Sequence, residues 1–203
     1  LKIPNRLADG YGPNSKIMKF LISKNINILF TLDCGTSSFE VLDDSKYKNI
    51  DTIIIDHHIS EDTFPNVHSI INPNRFDENK VYKNFAAVGV TFLFLMALRK
   101  HLRNIEYFKK NDLKEPNLLS YLDLVALGTV CDVVDLDNYN RTLVSKGLEI
   151  IHQRNNIGIT KIIDNSKINY TPTISDLGYV LGPQLNAASR INDSSLPSKL
   201  LIS

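Results

Sequence analysis

The chain has 203 residues, room for one sizeable hydrophobic core or two small lobes. Hydrophobic residues make up 43% and charged residues 22%, with 9 Gly and 8 Pro, which excludes a collagen-like, low-complexity or wholly disordered polypeptide. Lys and Arg number 23 against 22 Asp and Glu, a formal charge of +1, so bulk positive charge cannot bind a nucleic acid here; only a local groove could.

Two cysteines, Cys34 and Cys131, lie far apart and make no disulfide framework, which suits a reducing, cytoplasmic setting. No apolar stretch is long enough to cross a bilayer, so no membrane partner is expected, and the opening LKIPNRLADGYGPN lacks the pattern of a signal peptide. The chain starts at Leu1 rather than Met and ends in SSLPSKLLIS while an apolar pattern is still running. It therefore reads as a piece of a longer protein, incomplete at both ends.

After a Gly-Tyr-Gly-Pro-Asn turn, residues 15–24 repeat Ile17, Phe20 and Leu21 on one face and predict a short helix. Residues 28–32, ILFTL, predict a buried strand that stops at Asp33-Cys34-Gly35-Thr36. A helix around 37–46 follows, then a second strand over Thr52–Ile55 ending at Asp56-His57-His58, then a third over Ser69–Ile71 ending at Asn72-Pro73-Asn74-Arg75. Strand, helix and strand in this order predict an α/β fold with a parallel β-sheet flanked by helices on both faces. Residues 86–101 are apolar nearly all round and turn basic at the end, as a buried helix would. An exposed connection over 103–117 leads to a second buried helix at Leu118–Leu127, beyond which Gly128–Val134 sets a third acidic residue, Asp132, after an apolar element. Helices over 140–152 and 157–164 precede a polar joint near 165–173. In the last stretch, Ile174–Ile191, a turn at Gly182-Pro183 is followed by small residues and Arg190. There is no internal repeat and no heptad pattern.

In open α/β sheets the carboxyl ends of the strands line the reactive crevice, so Asp33 and Asp56-His57-His58 are placed to converge. One imidazole could bind a metal while the other gives a proton to a leaving group or holds a phosphate. Asp33 and Asp132 would add oxygen ligands; such a mixed set suits Mn²⁺ or Mg²⁺ and leans toward Mn²⁺, while cysteine-rich zinc coordination is not indicated. Each residue also has a plainer reading: Asp33 and Asp132 as helix caps, His57 and His58 as a polar loop, Arg75 as a solvent-facing side chain, both cysteines as core residues, and Gly10–Asn14 as a turn. What favours a site is the coincidence of three acidic or imidazole positions, each just beyond an apolar segment, with Gly35 and Gly128 permitting close approach. Arg190 follows small residues and could hold a phosphate bidentately; Asn5, Arg6 and Tyr11 could contact substrate.

Thr31-Leu32-Asp33-Cys34-Gly35, Ile55-Asp56-His57-His58, Gly128-Thr129-Val130-Cys131-Asp132-Val133 and Gly182-Pro183-Gln184-Leu185-Asn186-Ala187-Ala188-Ser189-Arg190, in this order, resemble the motifs of the DHH phosphoesterase superfamily, and most closely those of its RecJ-type single-stranded-DNA-specific exonucleases. The opening Ile3-Pro4-Asn5-Arg6 and Gly10-Tyr11-Gly12 extends the resemblance over essentially the whole chain. It implies metal-dependent phosphodiester hydrolysis that releases nucleotides 5′ to 3′ from single-stranded DNA in repair and recombination, with two Mn²⁺ or Mg²⁺ ions polarising phosphate, generating hydroxide and stabilising the leaving oxygen. By that comparison Asp33, His57 and Asp132 match metal ligands, Asp56 supports the cluster, and His58 lies by the scissile phosphate, which makes Asp56 and His58 the catalytic candidates. Asn186, Arg190 and Arg75 match positions holding DNA. Residues 1–165 would form the DHH-type catalytic core, and 166–203 its end and the start of a connection to a C-terminal domain. A single-strand-binding protein or a helicase is the implied protein partner, and the complete enzyme would be a monomer.

The chain departs from the family pattern in three places. An acidic D-x-D motif on a first strand should precede residue 1, and Asp135-Leu136-Asp137, following Asp132, is in the wrong topological place to replace it. The expectation is that this chain alone binds metal weakly and has little exonuclease activity. Ser189 stands where Gly is common and Gln184 where Arg is common. A DHH enzyme acting on oligoribonucleotides, bisphosphorylated nucleotides or pyrophosphate would share the core chemistry, and a nonenzymatic nucleic-acid-binding scaffold would bind DNA without metal or turnover.

Overall fold

A computed structural model describes residues 1–5, 9–43, 49–79, 81–188 and 194–203. Arg6, Ser189 and Arg190 lie outside the described residues, as does most of the second half of the helix expected over 37–46.

Helix α1 (Ser15–Ile22) begins where the Asn14 side chain accepts from the Ile17 amide, satisfying one of the donors a helix start leaves open. Strand β1 (Ile28–Leu32), the short helix α2 (Phe39–Leu42), β2 (Asp51–Ile55) and β3 (Ser69–Ile71) follow. The three strands form one parallel sheet in the order β1-β2-β3. Its register aligns Leu32 with Ile55 and Ile55 with Ile71, so all three strands stop at one level. The next residues, Asp33, Asp56 and Asn72, therefore emerge side by side, with the Asp33 amide donating to the Ile55 carbonyl and the Asp56 amide to the Ile71 carbonyl at 2.9 and 3.0 Å.

The long helix α3 (Ala87–Asn104) lies against the sheet, with its Val90, and Phe85 just before it, packed in one cluster with Ile55 of β2. After α4 (Tyr107–Lys110) and a 3₁₀ turn at Leu118–Tyr121, helices α5 (Leu122–Cys131), α6 (Asn138–His152) and α7 (Ile157–Asn165) build a second, helical core. Ile168, from the link after α7, and Leu177 and Leu181, from the final helical run, complete that core; the run comprises α8 (Ile174–Asp176), a π-helical turn at Leu177–Leu181 and α9 (Gly182–Ala188), with α10 (Leu196–Leu201) beyond. Helices α5 and α6 approach closely at Gly147, where a Cβ would stand 2.2 Å from the Leu122 carbonyl oxygen. Buried Asn140 ties α6 to the segment before α3 by donating to the Asn84 and Asp135 carbonyls, both at 2.7 Å.

Several sequence expectations change here. Strand β1 is not buried on both faces: Leu29 packs against Met18 and Leu21 of α1, but Ile28, Phe30 and Leu32 on the opposite face are exposed, because β1 is the outer strand of the described sheet and α3 covers that face only in part, with Phe94 5.8 Å from Phe30. Helix α3 is buried only near its start, while Leu93, Leu95, Met96 and Leu98 stay partly open. The apolar segment before Asp132 extends the buried helix to Cys131. The turn expected at Gly182-Pro183 is absent. Pro183 lacks an amide and clashes with the carbonyl four residues earlier in a regular helix; the π-helical turn just before it lets the chain stay helical.

Candidate metal centre

Asp33 leaves β1 in the left-handed region (φ 61), a conformation that aspartate tolerates better than most residues. It caps no helix, since α2 is preceded by Ser38 at its N-cap position. Two residues on, Gly35 has φ 116, and a Cβ there would lie 2.7 Å from Thr31 Oγ1, so only glycine lets the backbone turn back over β1.

Asp56 follows β2 and is 1% exposed. Its Oδ1 accepts from the His57 amide (2.8 Å), the His58 amide (3.3 Å) and His58 Nδ1 (2.7 Å), and its Oδ2 accepts from the Thr36 amide (3.1 Å). Burial pushes the Asp56 carboxyl pKa up, but the bonds from His58 and Thr36 outweigh it and hold the group below the usual carboxylate range. The lone pairs of Asp56 are committed to these bonds: they tie down the strand-end loop and, by receiving Nδ1–H, leave His58 Nε2 as the other ring nitrogen.

His57 Nε2 lies 3.3 Å from Asp33 Oδ1 and 3.3 Å from Asp132 Oδ2. One donor atom each from Asp33, His57 and His58 lie within 4.8 Å of one another. The hydrogen bond that His57 Nε2–H donates to Asp33 raises the His57 pKa, partly opposed by burial and reinforced by the charge of Asp132. Asp132 is the C-cap of α5, not the N-cap of any helix. A carboxylate is disfavoured at that end, where unpaired carbonyls concentrate negative potential. Burial raises its pKa, and the charge of Asp33 adds to this against the pull of His57. Neither aspartate is thus explained as a cap.

Buried Asn72 and Thr36, with half-buried Asn74, form a support that the sequence reading did not single out. Asn72 Nδ2 donates to Thr36 Oγ1 (3.0 Å) and to the His58 carbonyl (2.8 Å), while its Oδ1 accepts from the Asn74 amide (2.8 Å). Asn74 in turn donates to the His57 carbonyl. The only sequence signal for this was an Asn-Pro-Asn triplet at a strand end. Beside the cluster, a cleft of about 420 Å³ runs between the end of β1, the start of α3 and the end of α5, with Leu32, Asp33, Ala87, Thr91, Gly128 and Asp132 among its lining.

The other candidates are placed less centrally. Arg75 is held within its own loop: its guanidinium pairs with Asp77 (2.6 Å), donates to the Ile70 carbonyl (3.1 Å) and stacks over Phe64, so a phosphate would have to displace Asp77. Asn186 lies exposed on α9, and Gln184 on the same helix donates to Ser166 Oγ (2.7 Å). Burial, together with Asp56 and Asp33, pushes the Cys34 thiol up to about 11, so it stays protonated and is no nucleophile at neutral pH. Asp137 is the N-cap of α6, accepting from the Tyr139 and Asn140 amides.

The donors fit a hard divalent cation. Neighbouring ligands of an octahedral ion, at about 2.1 Å from it, stand about 3 Å apart, and the two 3.3 Å separations around His57 are close to that. Two carboxylates and an imidazole converge with Asp132 held at the unfavourable end of its helix, an arrangement that a cation compensates and a proton on His57 compensates less fully.

Residues 2–129 match the model of the DHH family, N-terminal domain. Among curated proteins, the chain is 42% identical over 202 residues to the single-stranded-DNA-specific exonuclease RecJ of Dickeya dadantii, 39% identical to that of Escherichia coli and 29% identical over 204 residues to that of Thermus thermophilus. It covers 35%, 35% and 28% of their lengths, while 98% of this chain is aligned in each case. Among solved structures, it superposes on an exonuclease RecJ bound to manganese with TM-score 0.81 and 28% identity, over 99% of this chain and 48% of that one. RecJ from Thermus thermophilus in complex with Mn²⁺ aligns with TM-score 0.68 and 29% identity, over 87% of this chain and 25% of that one.

Proposed function

This chain belongs to the DHH family, and on that footing we propose that it carries the metal centre of a 5′–3′ exonuclease of single-stranded DNA, using Mn²⁺ or Mg²⁺, in repair and recombination. The observation that carries the reading is the position of His57 Nε2, 3.3 Å from a carboxylate oxygen of Asp33 and of Asp132, three residues delivered by two strand ends and a helix end. Asp33, His57 and Asp132 would hold the ion, with a ring nitrogen of His58 within 4.8 Å of the Asp33 and His57 donors. A divalent cation bound there supplies Lewis-acid polarisation of a phosphoryl oxygen and a lowered pKa for an attacking water.

The chain's own residues contribute orientation and proton handling. Asp56 keeps the His58 ring fixed through Nδ1, so that Nε2 can contact the scissile phosphate or carry a proton to the leaving oxygen. Asn186 and Arg190 would hold DNA phosphates, a local grip consistent with a formal charge of +1. No described helix is long and apolar enough to cross a membrane. Our reading adds a cytoplasmic setting and a single-strand-binding protein or a helicase as partner, which the likeness to RecJ exonucleases supports without naming either.

Titration of Mn²⁺ into the chain, followed by electron paramagnetic resonance, tests the centre. Asp33→Asn and Asp132→Asn should each weaken Mn²⁺ binding at least tenfold. Equal binding by wild type and both variants would sink the assignment. Because this chain alone is expected to turn over little, competition of oligoribonucleotides, bisphosphorylated nucleotides and pyrophosphate against a labelled, hydrolysis-resistant single-stranded DNA tests the substrate, and tighter binding of a small competitor would overturn the exonuclease reading.

A further inference from the structure

Val133 directly follows Asp132, the C-cap of α5. It occupies the left-handed region (φ 58) and donates its amide to the Val130 carbonyl at 3.2 Å. Glycine is the usual residue at such a position, because a Cβ there crowds the backbone, and a β-branched side chain crowds it most. Among the described residues, the other non-glycine residues with positive φ are Asn25, Asp33, Glu106, Asp112, Arg154 and Lys167, none of them β-branched or apolar. The valine gains nothing from packing in return, since it is 87% exposed.

A second apolar side chain next to a residue of the cluster is also left in solvent. Ile59 follows His58 directly and is 85% exposed. Two of the most exposed aliphatic side chains among the described residues thus sit one residue from two of the residues that assemble around the candidate ion, although that centre's charged chemistry needs neither. Strain and lost burial concentrated beside a site are the mark of side chains kept for what they touch.

We propose that Val133 and Ile59 form an apolar rim that contacts the sugar and base of the nucleoside next to the scissile phosphate. The inference rests on the single-stranded-DNA reading above and deepens it. The charged residues take the phosphate and the ion, and the rim takes the uncharged remainder of the nucleotide, placing its phosphodiester over the cluster. Val133 and Ile59 are substrate-positioning residues and touch no reacting atom.

The test is a combined measurement of stability and binding on the 203-residue chain. Val133→Gly removes the crowding at positive φ, so its midpoint of thermal unfolding should rise by about 2–4 °C. Its affinity, in the presence of Mn²⁺, for a 3′-fluorescein-labelled oligothymidylate with a hydrolysis-resistant phosphorothioate backbone should fall about fivefold, the effect of losing part of one buried aliphatic side chain. Val133→Asn, whose side chain tolerates the same backbone conformation, and Ile59→Ser should show the same loss of affinity. Mn²⁺ binding should stay at the wild-type value in all three. Unchanged oligonucleotide affinity in these variants would overturn the rim, and so would a drop in the unfolding temperature of Val133→Gly, which would mean that the valine is a packing residue. Failure of the wild type to bind the oligonucleotide would instead strike the single-stranded-DNA reading, and the rim with it, without recourse to any variant.

Discussion

Replacing Asp56 with asparagine keeps the side chain's shape and removes its charge and one acceptor. The retained oxygen can still face the His57 and His58 amides and His58 Nδ1, but the new amide nitrogen must then face the Thr36 amide, which now donates to Oδ2 at 3.1 Å. Two donors confront each other in a site 1% exposed, and flipping the amide would set the nitrogen against three donors instead. A buried donor left without an acceptor costs about 1–3 kcal/mol, and bonds that lose their ionised acceptor keep roughly half their strength. Relief from burying a charge offsets part of this. The net expectation for Asp56→Asn is a loss of about 2–3 kcal/mol, or about 4–12 °C in unfolding temperature for a chain of this size. Asp56→Ala, which strands the Thr36, His57 and His58 amides together, should lose about 3–5 kcal/mol. Urea unfolding followed by circular dichroism measures both. A loss under about 1 kcal/mol for Asp56→Asn would refute the reasoning, because it would mean that Asp56 does not organise the strand ends.

Gly147→Ala puts a Cβ 2.2 Å from the Leu122 carbonyl oxygen and 2.4 Å from Ala126 Cβ, so α5 and α6 must separate; the expected loss is about 3 kcal/mol or more. The same change on an exposed helix face would stabilise by about 1 kcal/mol, so a raised unfolding temperature would show that the two helices do not meet as described. At Asp176, burial pushes the pKa up, but bonds from the Thr173 amide (2.7 Å), Thr173 Oγ1 (2.8 Å) and Tyr170 OH (2.8 Å) hold the carboxyl below its usual value. Its folded-state pKa is therefore the lower one. The stabilisation is fully present above the unfolded aspartate value of about 3.9 and is lost as pH falls through the folded value. Asp176→Asn should flatten the fall in stability of the wild type below pH ~4, and identical acid limbs in the two proteins would count against the capping role.

Much of the sheet is legible in local sequence because its signals are short-range. ILFTL, TIII and SII are brief β-favouring runs, each cut off by residues that leave a strand, and all three form the parallel strands expected of them. The same reading put Asp33 and the Asp56-His57-His58 triplet at strand ends, where they are found. It misjudged β1, because an apolar run reads alike in a central strand and in an outer one; what covers each face depends on neighbours distant in sequence. The helical turn through Gly182-Pro183 was hidden for a related reason, since local rules place a break there and packing of Leu177 and Leu181 into the helical core keeps the segment helical.

By itself the sequence determined which side chains with metal-binding chemistry stand at the ends of apolar segments, since that follows from composition and period along the chain. Only the tertiary structure decided their division of labour. The register that stops three strands at one level buries Asp56 beneath the loop and turns Asp33 outward. The packing of α5 on α6 and α3 carries Asp132, 99 positions after Asp33, to within 3.3 Å of His57. Such convergence has no trace in local sequence, because it depends on where whole elements come to rest and not on what any one of them contains.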